Sequence, residues 1–118
     1  MILYGIPNCN TVKKAQVWLK EHGFEYEIHD FKKKGITAQK LDEWCGAFGW
    51  EQVLNKKGTT WKKLSSAEQD QVKDQQTAVA VLLQHTSAIK RPIVEAAGKV
   101  LLIGFDEERY IQLLKFVK

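Results

Sequence analysis

The spacing of hydrophobic and polar residues changes twice within residues 1–30. Ile2–Tyr4 form an apolar run that the loop residues 5–8 interrupt, which predicts a buried strand followed by a tight turn. Apolar side chains then recur at helical spacing between Thr11 and Gly23, at Val12, Ala15, Trp18 and Leu19. Residues 24–29 alternate apolar and polar side chains, as half-buried strands do. We therefore expect two parallel strands joined by a right-handed helical crossover.

The middle of the chain shows helical patterns and no convincing strand. A basic turn at residues 32–35 precedes Thr37, a predicted helix N-cap. The apolar residues of the helix that follows share one face: Leu41, Trp44, Cys45 and Phe48. After a polar, basic loop at residues 55–61, Ser65 and Glu68 have the spacing of a capping box. A further apolar helix is predicted at about residues 74–84.

Strand patterns return near the end of the chain. Residues 93–95 and 100–104 both carry a strand pattern, and Gly98 between them favours a tight hairpin. Asp106 is the predicted cap of a last helix. The expected inward residues of that helix are Tyr110, Leu113, Leu114 and Val117.

Length and element order together predict the fold class. The order is βαβ, a helical insertion at about residues 37–88, and then ββα. It predicts an α/β protein with a four-stranded mixed sheet and an all-helical insertion, the layout of a thioredoxin-like fold. A chain of 118 residues suits one hydrophobic core, so we expect a single domain over residues 1–118.

The formal charge of +4 is unevenly distributed. Residues 32–63 contain eight Lys and three acidic residues, a local charge of +5, whereas the rest of the chain carries −1. A segment of this kind is either an anion-facing surface or a solvated lysine face. Because the sequence contains no recognisable nucleic-acid-binding module, we expect no nucleic-acid partner.

Composition excludes several other classes of protein. The longest charge-free apolar run, at residues 77–83, is too short to span a bilayer, and no secretory signal is visible at the N-terminus. We therefore expect a cytoplasmic protein without membrane contact. Two cysteines cannot make a disulfide-dense scaffold, and no Cys/His cluster has zinc spacing, so no metal site is expected.

Cys9 is the candidate reactive residue. It lies between the first predicted loop and a helix N-terminus, where free N–H groups and the helix dipole stabilise a thiolate. Lys13 and Lys14 add positive charge one turn later. We therefore predict a nucleophile whose pKa lies below the value of about 8.5 of a free cysteine. The alternative is a small buried residue at a strand end, but the polar neighbours Asn8 and Asn10 favour the reactive interpretation.

The second cysteine and the proline carry separate predictions. Cys45 lies on an apolar stripe and is interpreted as a buried core thiol, the alternative being a resolving cysteine for Cys9. Val12 stands where the second cysteine of a C-x-x-C dithiol would be, so that motif is absent. The Arg91–Pro92 pair either marks a strand edge or, as at the third strand of thioredoxin-like folds, contains a cis bond that faces the redox cysteine.

Three motifs give the chain a family resemblance. Residues 4–15 (YGIPNCNTVKKA), 58–61 (GTTW) and 90–94 (KRPIV) resemble, in this order, those of the arsenate reductase (ArsC) family. Within that family the chain looks most like the YffB-like branch, which is related to the Spx regulators. The resemblance covers essentially the whole chain, including the helical insertion.

The resemblance implies roles for several residues. Cys9 corresponds to the family's nucleophile, which attacks an oxyanion or a disulfide and is then released by glutathione or glutaredoxin. Arg91, which precedes the expected cis Pro92, corresponds to an arginine that helps to hold the anion. Lys13 lies near the position where the reductases carry a basic residue beside the thiol.

The sequence departs from the reductases at two arginines. The arginine of the middle loop corresponds here to Lys56 or Lys57, of which Lys57 is our candidate for anion binding. A lysine supplies charge but not the planar fork that holds an oxyanion with two hydrogen bonds. The arginine expected after the hairpin has no counterpart, since residues 100–103 are apolar. These departures argue against arsenate and leave another small oxidised or anionic substrate.

Three functions remain open. In the first, an enzyme acting as a monomer without a bound cofactor, Cys9 forms a mixed disulfide that an external thiol such as glutathione resolves as co-substrate. In the second, an Spx-like regulatory module binds RNA polymerase or another protein through the basic segment and an exposed Trp61. In the third, a thioredoxin-like domain has lost its chemistry. The missing C-x-x-C switch favours the enzyme over the regulator.

Overall fold

The computed structural model describes residues 1–115, and within them four strands form one sheet in the order β2-β1-β3-β4. The strands are β1 (Ile2–Gly5), β2 (Glu27–Asp30), β3 (Ile93–Ala96) and β4 (Lys99–Ile103). β1 pairs with β2 in parallel and with β3 antiparallel, and β3 pairs antiparallel with β4. The predicted mixed sheet and its βαβ…ββα order are confirmed.

Eight α-helices accompany the sheet in the described part of the chain. They are α1 (Asn10–Glu21), α2 (Phe31–Lys34), α3 (Ala38–Phe48), α4 (Trp50–Val53), α5 (Thr59–Lys62), α6 (Ser66–Asp70), α7 (Gln75–Gln84) and α8 (Glu107–Leu114). A 3-10 helix occupies Thr86–Ala88. The fold is of the α/β class.

The second strand begins later than the alternating pattern predicts. Gly23 ends the preceding turn with φ of 75°, and the Phe24 N–H donates to the Leu19 carbonyl over 2.9 Å. The Phe24 ring also stacks on Trp18, with 5.9 Å between ring centroids. Residues 24–26 therefore pack against α1 before the chain joins the sheet at Glu27.

The hairpin and the last helix follow their local signals closely. Ala97 and Gly98 both have positive φ, 54° and 77°, which is the geometry of a two-residue turn between twisted strands. The Asp106 carboxylate accepts hydrogen bonds from the N–H groups of Glu108 and Arg109 and caps α8 as predicted.

One inward residue of α8 is wrongly predicted. Tyr110 and Leu114 are one helical turn apart and buried, but Leu113 is 40% exposed because neighbouring helical positions point about 100° apart. Val117, the fourth predicted inward residue, lies outside the described residues.

The described chain separates into two compact units. The first comprises residues 1–34 and the chain from Arg91 onward, and it contains the sheet, α1, α2 and α8. Its core on one sheet face unites residues from β1, α1, β3, β4 and α8: Leu3, Val12, Ala15, Trp18, Leu19, Val94, Leu102, Tyr110 and Leu114. This core holds α1 against the sheet.

In the second unit, Gly35–Lys90, the regular secondary structure is helical apart from an isolated bridge between Leu54 and Ile89, and loops connect the helices. This unit begins two residues before the predicted insertion at about residues 37–88 and ends two residues after it. The predicted caps are present: Thr37 accepts from the Lys40 N–H, and Ser65 and Glu68 form a reciprocal capping box. The single domain over residues 1–118 stays a prediction.

Trp61 is not exposed, contrary to the expectation for a regulatory surface. The predicted loop contains a helical turn, α5, which directs the indole inward, and the side chain is only 9% exposed. The Trp61 carbonyl accepts a hydrogen bond from the Gln69 side chain over 2.9 Å. Within residues 1–115, no helix combines the length and apolar character needed to cross a membrane.

Candidate active site

Cys9 occupies the N-cap position of α1. Its backbone is extended, with φ of −85° and ψ of 130°, and its carbonyl accepts the first helical hydrogen bond from the Lys13 N–H over 3.0 Å. The Cys9 N–H donates to the Ile6 carbonyl over 3.0 Å, which ties the residue back to the loop after β1. The predicted position at a helix N-terminus is confirmed.

The electrostatic surroundings of Cys9 favour its thiolate. Partial burial acts to raise the pKa of the thiol, but the N–H groups of Val12 and Thr11 oppose it, and so do the hydrogen bond and the charge of Arg91. The pKa of Cys9 is therefore lowered from its ordinary value. The sulfur makes no conventional capping hydrogen bond, so the two N–H groups act on it chiefly as oriented dipoles.

Arg91 lies two residues before the first residue of β3, and from there it interacts with the Cys9 thiol. The Arg91–Pro92 bond is cis, which is the second of the two alternatives that the sequence left open. The Pro92 carbonyl accepts a hydrogen bond from the Gly104 N–H over 2.8 Å, and β3 begins at Ile93, which pairs with Tyr4 of β1. Arg91 is thus anchored to the sheet, whereas Cys9 is anchored to the helix.

Lys13 lies one turn after Cys9 but faces a groove. That groove of about 380 Å³ is lined by Lys13, Lys14, Val17, Trp18, Glu21, Phe105 and Glu107. Among residues 1–115, the positive side chain that acts on the Cys9 sulfur is Arg91. The anion-binding role of Lys13 remains a prediction.

Lys56 and Lys57 belong to the second unit. The Lys56 ammonium lies over the rings of Trp50 and Trp61, 5.5 and 5.6 Å from their centroids. The Lys57 N–H donates to the Asn55 side chain over 3.2 Å, while its own side chain is exposed. A cleft of about 250 Å³ in this unit contains both lysines together with Lys90. The anion-binding role of Lys57 also remains a prediction.

Cys45 is a buried core thiol, as predicted. It is 3% exposed on α3. Burial raises the pKa of Cys45 to about 11, and the negative charges of Asp42 and Glu51 act in the same direction. A thiol of this kind is a poor nucleophile at neutral pH.

Sequence reasoning identified the helix end but missed how closely it approaches the sheet. A methyl group placed on Gly5 would lie 2.9 Å from Val12, whose side chain is fully buried. The sequence signal was present, since Gly5 directly follows an apolar strand and precedes the reactive loop. The hydrophobic pattern places Gly5 in the loop after the strand, whereas the structure makes it the last residue of β1.

Comparisons with known proteins agree with the motifs. A family model described as "ArsC family" matches residues 4–113. A solved YffB protein (PA3664) is 42% identical, covers 96% of this chain and 97% of its own, and superimposes with a TM-score of 0.90. An arsenate reductase (ArsC) related protein from Brucella melitensis is 40% identical, with 98% and 94% coverage and a TM-score of 0.74.

A regulator is also among the relatives. The global transcriptional regulator Spx of Listeria innocua is 24% identical over 114 residues, which cover 95% of this chain and 85% of the regulator. The family match and the reductase-related neighbour support a thiol-dependent, reductase-like function at a general level. They also confirm the resemblance and the thioredoxin-like fold that the motifs predict.

Proposed function

Since the chain belongs to the ArsC family, we propose that it is a glutathione-dependent thiol reductase that acts through a single cysteine, Cys9. The observation that supports this most is the meeting of a helix N-terminus and Arg91 at one partly exposed sulfur. Such a sulfur has a larger thiolate fraction than an ordinary cysteine at the same pH, because its pKa is lowered, and it is open to attack a substrate.

The chemistry needs one nucleophile and one external thiol. With a mixed disulfide of glutathione as substrate, the Cys9 thiolate attacks the glutathione sulfur, a new S–S bond forms, and the substrate leaves as a thiolate that takes up a proton. A second glutathione, as thiolate, then attacks the glutathione sulfur bound to Cys9. Cys9 leaves as thiolate, and the two glutathione molecules depart as their disulfide. In the net reaction one glutathione thiol is consumed: the substrate sulfur passes from disulfide to thiol, and the incoming glutathione sulfur passes from thiol to disulfide.

The two other candidate thiol positions support an external donor. Position 12 carries a fully buried valine, so the first turn of α1 holds no second sulfur. Cys45 is buried and has a raised pKa, which makes it a weak attacking group. Arg91 in turn would hold an anionic part of the substrate and stabilise Cys9 as the leaving thiolate.

The direct test is the covalent intermediate. Oxidised glutathione should add one glutathione per chain, mapped by mass spectrometry to Cys9, and reduced glutathione should remove it. Cys45→Ser is the matched control and should give the same adduct. Addition at Cys45, or reduction of the mixed-disulfide substrate without glutathione at an undiminished rate, would contradict the proposal.

The alternative is a regulator like the Spx relative, which the basic segment at residues 32–63 favours. The regulator hypothesis expects an exposed Trp61 that contacts the partner protein, but Trp61 is buried. Retention of stoichiometric RNA polymerase from a cell extract, in a preparation without reductase turnover, would favour the regulator over the enzyme.

A further inference from the structure

Gly5, the last residue of β1, faces the first turn of α1 at a distance that leaves no room for a side chain. A methyl group at position 5 would lie 2.9 Å from one Val12 methyl carbon and 3.4 Å from the other. Carbon atoms in packed interiors stay about 3.5–4.0 Å apart. Val12 and Leu3 are both fully buried, and Leu3 lies 3.7 Å from the same position, so an added methyl group requires a shift within the packed core.

Space, and not backbone conformation, requires glycine here. Gly5 lies outside the positive-φ region, so alanine could adopt its backbone without strain. The absence of a side chain at position 5 therefore allows the end of β1 to lie close to the first turn of α1.

This contact joins the two elements that build the reactive site. Val12 belongs to the helical turn that starts at Cys9, and its N–H group helps to stabilise the thiolate. Gly5 follows Tyr4, which pairs with Ile93 of β3, two residues after Arg91. The Gly5–Val12 contact therefore links the strand that pairs with β3 to the helical turn that carries Cys9.

We propose that Gly5 is a positioning residue: its missing side chain lets the first turn of α1 lie close enough to β1 for Cys9 to reach Arg91. The inference deepens the proposed function and rests on it, since it matters only if Cys9 is the reactive thiol.

Gly5→Ala tests the inference through the ionisation of Cys9. The rate of Cys9 alkylation by iodoacetamide is measured against pH by peptide mass spectrometry, and thermal unfolding is recorded beside it. The added methyl group pushes α1 from the sheet, so the alkylation midpoint should move to higher pH. The rate at mildly acidic pH should fall about tenfold, because thiolate fraction falls tenfold for each unit of pKa.

Two further variants separate positioning from general damage. Gly5→Ala combined with Val12→Ala removes the two methyl carbons that meet the new one, so the midpoint should return to the wild-type pH even if Gly5→Ala alone fails to fold. Gly46→Ala is the matched control, because position 46 of α3 is open to at least 4 Å and should leave the midpoint unchanged.

The outcomes distinguish the two levels of the proposal. A folded Gly5→Ala with an unchanged midpoint, or a folded double variant whose midpoint stays raised, would overturn the positioning role. A wild-type midpoint at the pH of an ordinary cysteine would instead overturn the proposed function.

Discussion

The two cysteines occupy regions of opposite electrostatic character, although both are at least partly buried. Cys9 begins a helix, and the N–H groups of the first turn and Arg91 outweigh its burial, so its pKa falls. Cys45 lies in the later part of α3 beside Asp42 and Glu51, which act in the same direction as its burial, so its pKa rises. Burial acts to raise the pKa of both thiols, so burial alone does not separate them: at Cys9 the helix end and Arg91 outweigh it, whereas at Cys45 the neighbouring negative charges add to it.

Substitution of the two cysteines should differ most in its effect on enzymatic turnover. Cys9→Ser should reduce the rate of glutathione-dependent reduction by roughly three orders of magnitude or more, because an alcohol cannot form the mixed disulfide. Cys45→Ser should leave the rate at low temperature within about twofold. Steady-state assays of the two purified variants check this, and appreciable turnover by Cys9→Ser would remove Cys9 from the mechanism.

The free energy of unfolding should instead be affected more by substitution of Cys45 than by substitution of Cys9. Cys45→Ser places a hydroxyl in a buried apolar position and should lower the free energy of unfolding by roughly 1–3 kcal/mol. Cys9→Ser, at a partly exposed helix cap where serine is favoured, should cost much less. Denaturant unfolding measures both; equal losses would mean that Cys45 is not a core residue.

Arg91 tests the origin of the low pKa at Cys9. Arg91→Gln removes the charge and replaces the guanidinium with a shorter, neutral amide, so Cys9 alkylation at mildly acidic pH should slow about tenfold. Arg91→Lys keeps the charge and should lie between the wild type and Arg91→Gln. If Arg91→Gln alkylates like the wild type, the helix N-terminus alone accounts for the lowered pKa.

The smallest effect is expected beside Cys45. Asp42→Asn removes one of the two negative charges that raise the pKa of this thiol. Since Asp42 is exposed, the alkylation rate of Cys45 at alkaline pH should rise by only about twofold. The Cys9→Ser background isolates this thiol. A tenfold increase would show that charge, and not burial, dominates at Cys45.

Local signals predicted most of the fold. The N-caps at Thr37, Ser65 and Asp106 depend on bonds within one turn, and each forms as the sequence indicates. Leu113 was misplaced because an apolar residue next to the inner stripe cannot be told from one within it. The start of β2 was misplaced because contacts of Phe24 with α1 override its alternating pattern.

The site was predictable in part for the same reason. The helix N-terminus at Cys9 is a local feature, so the sequence pattern alone indicated a favoured thiolate. Arg91 lies far from Cys9 in the sequence, just before β3, and its place near Cys9 followed from the expected thioredoxin-like fold and from the family resemblance. The glycine at position 5 is visible in the sequence, but its contact with Val12 depends on how a strand and a helix pack, and the sequence does not show that packing.

The most direct test of the central claim compares both thiols in one folded protein. Peptide-resolved alkylation rates of the wild type are measured from acidic to alkaline pH. Cys9 should react with a midpoint below the value of about 8.5 of an ordinary cysteine. Cys45 should stay unmodified at neutral pH, with its pKa at about 11. A shared midpoint, or a Cys9 midpoint at or above the ordinary value, would contradict the claim that the helix end and Arg91 make Cys9 the reactive thiol.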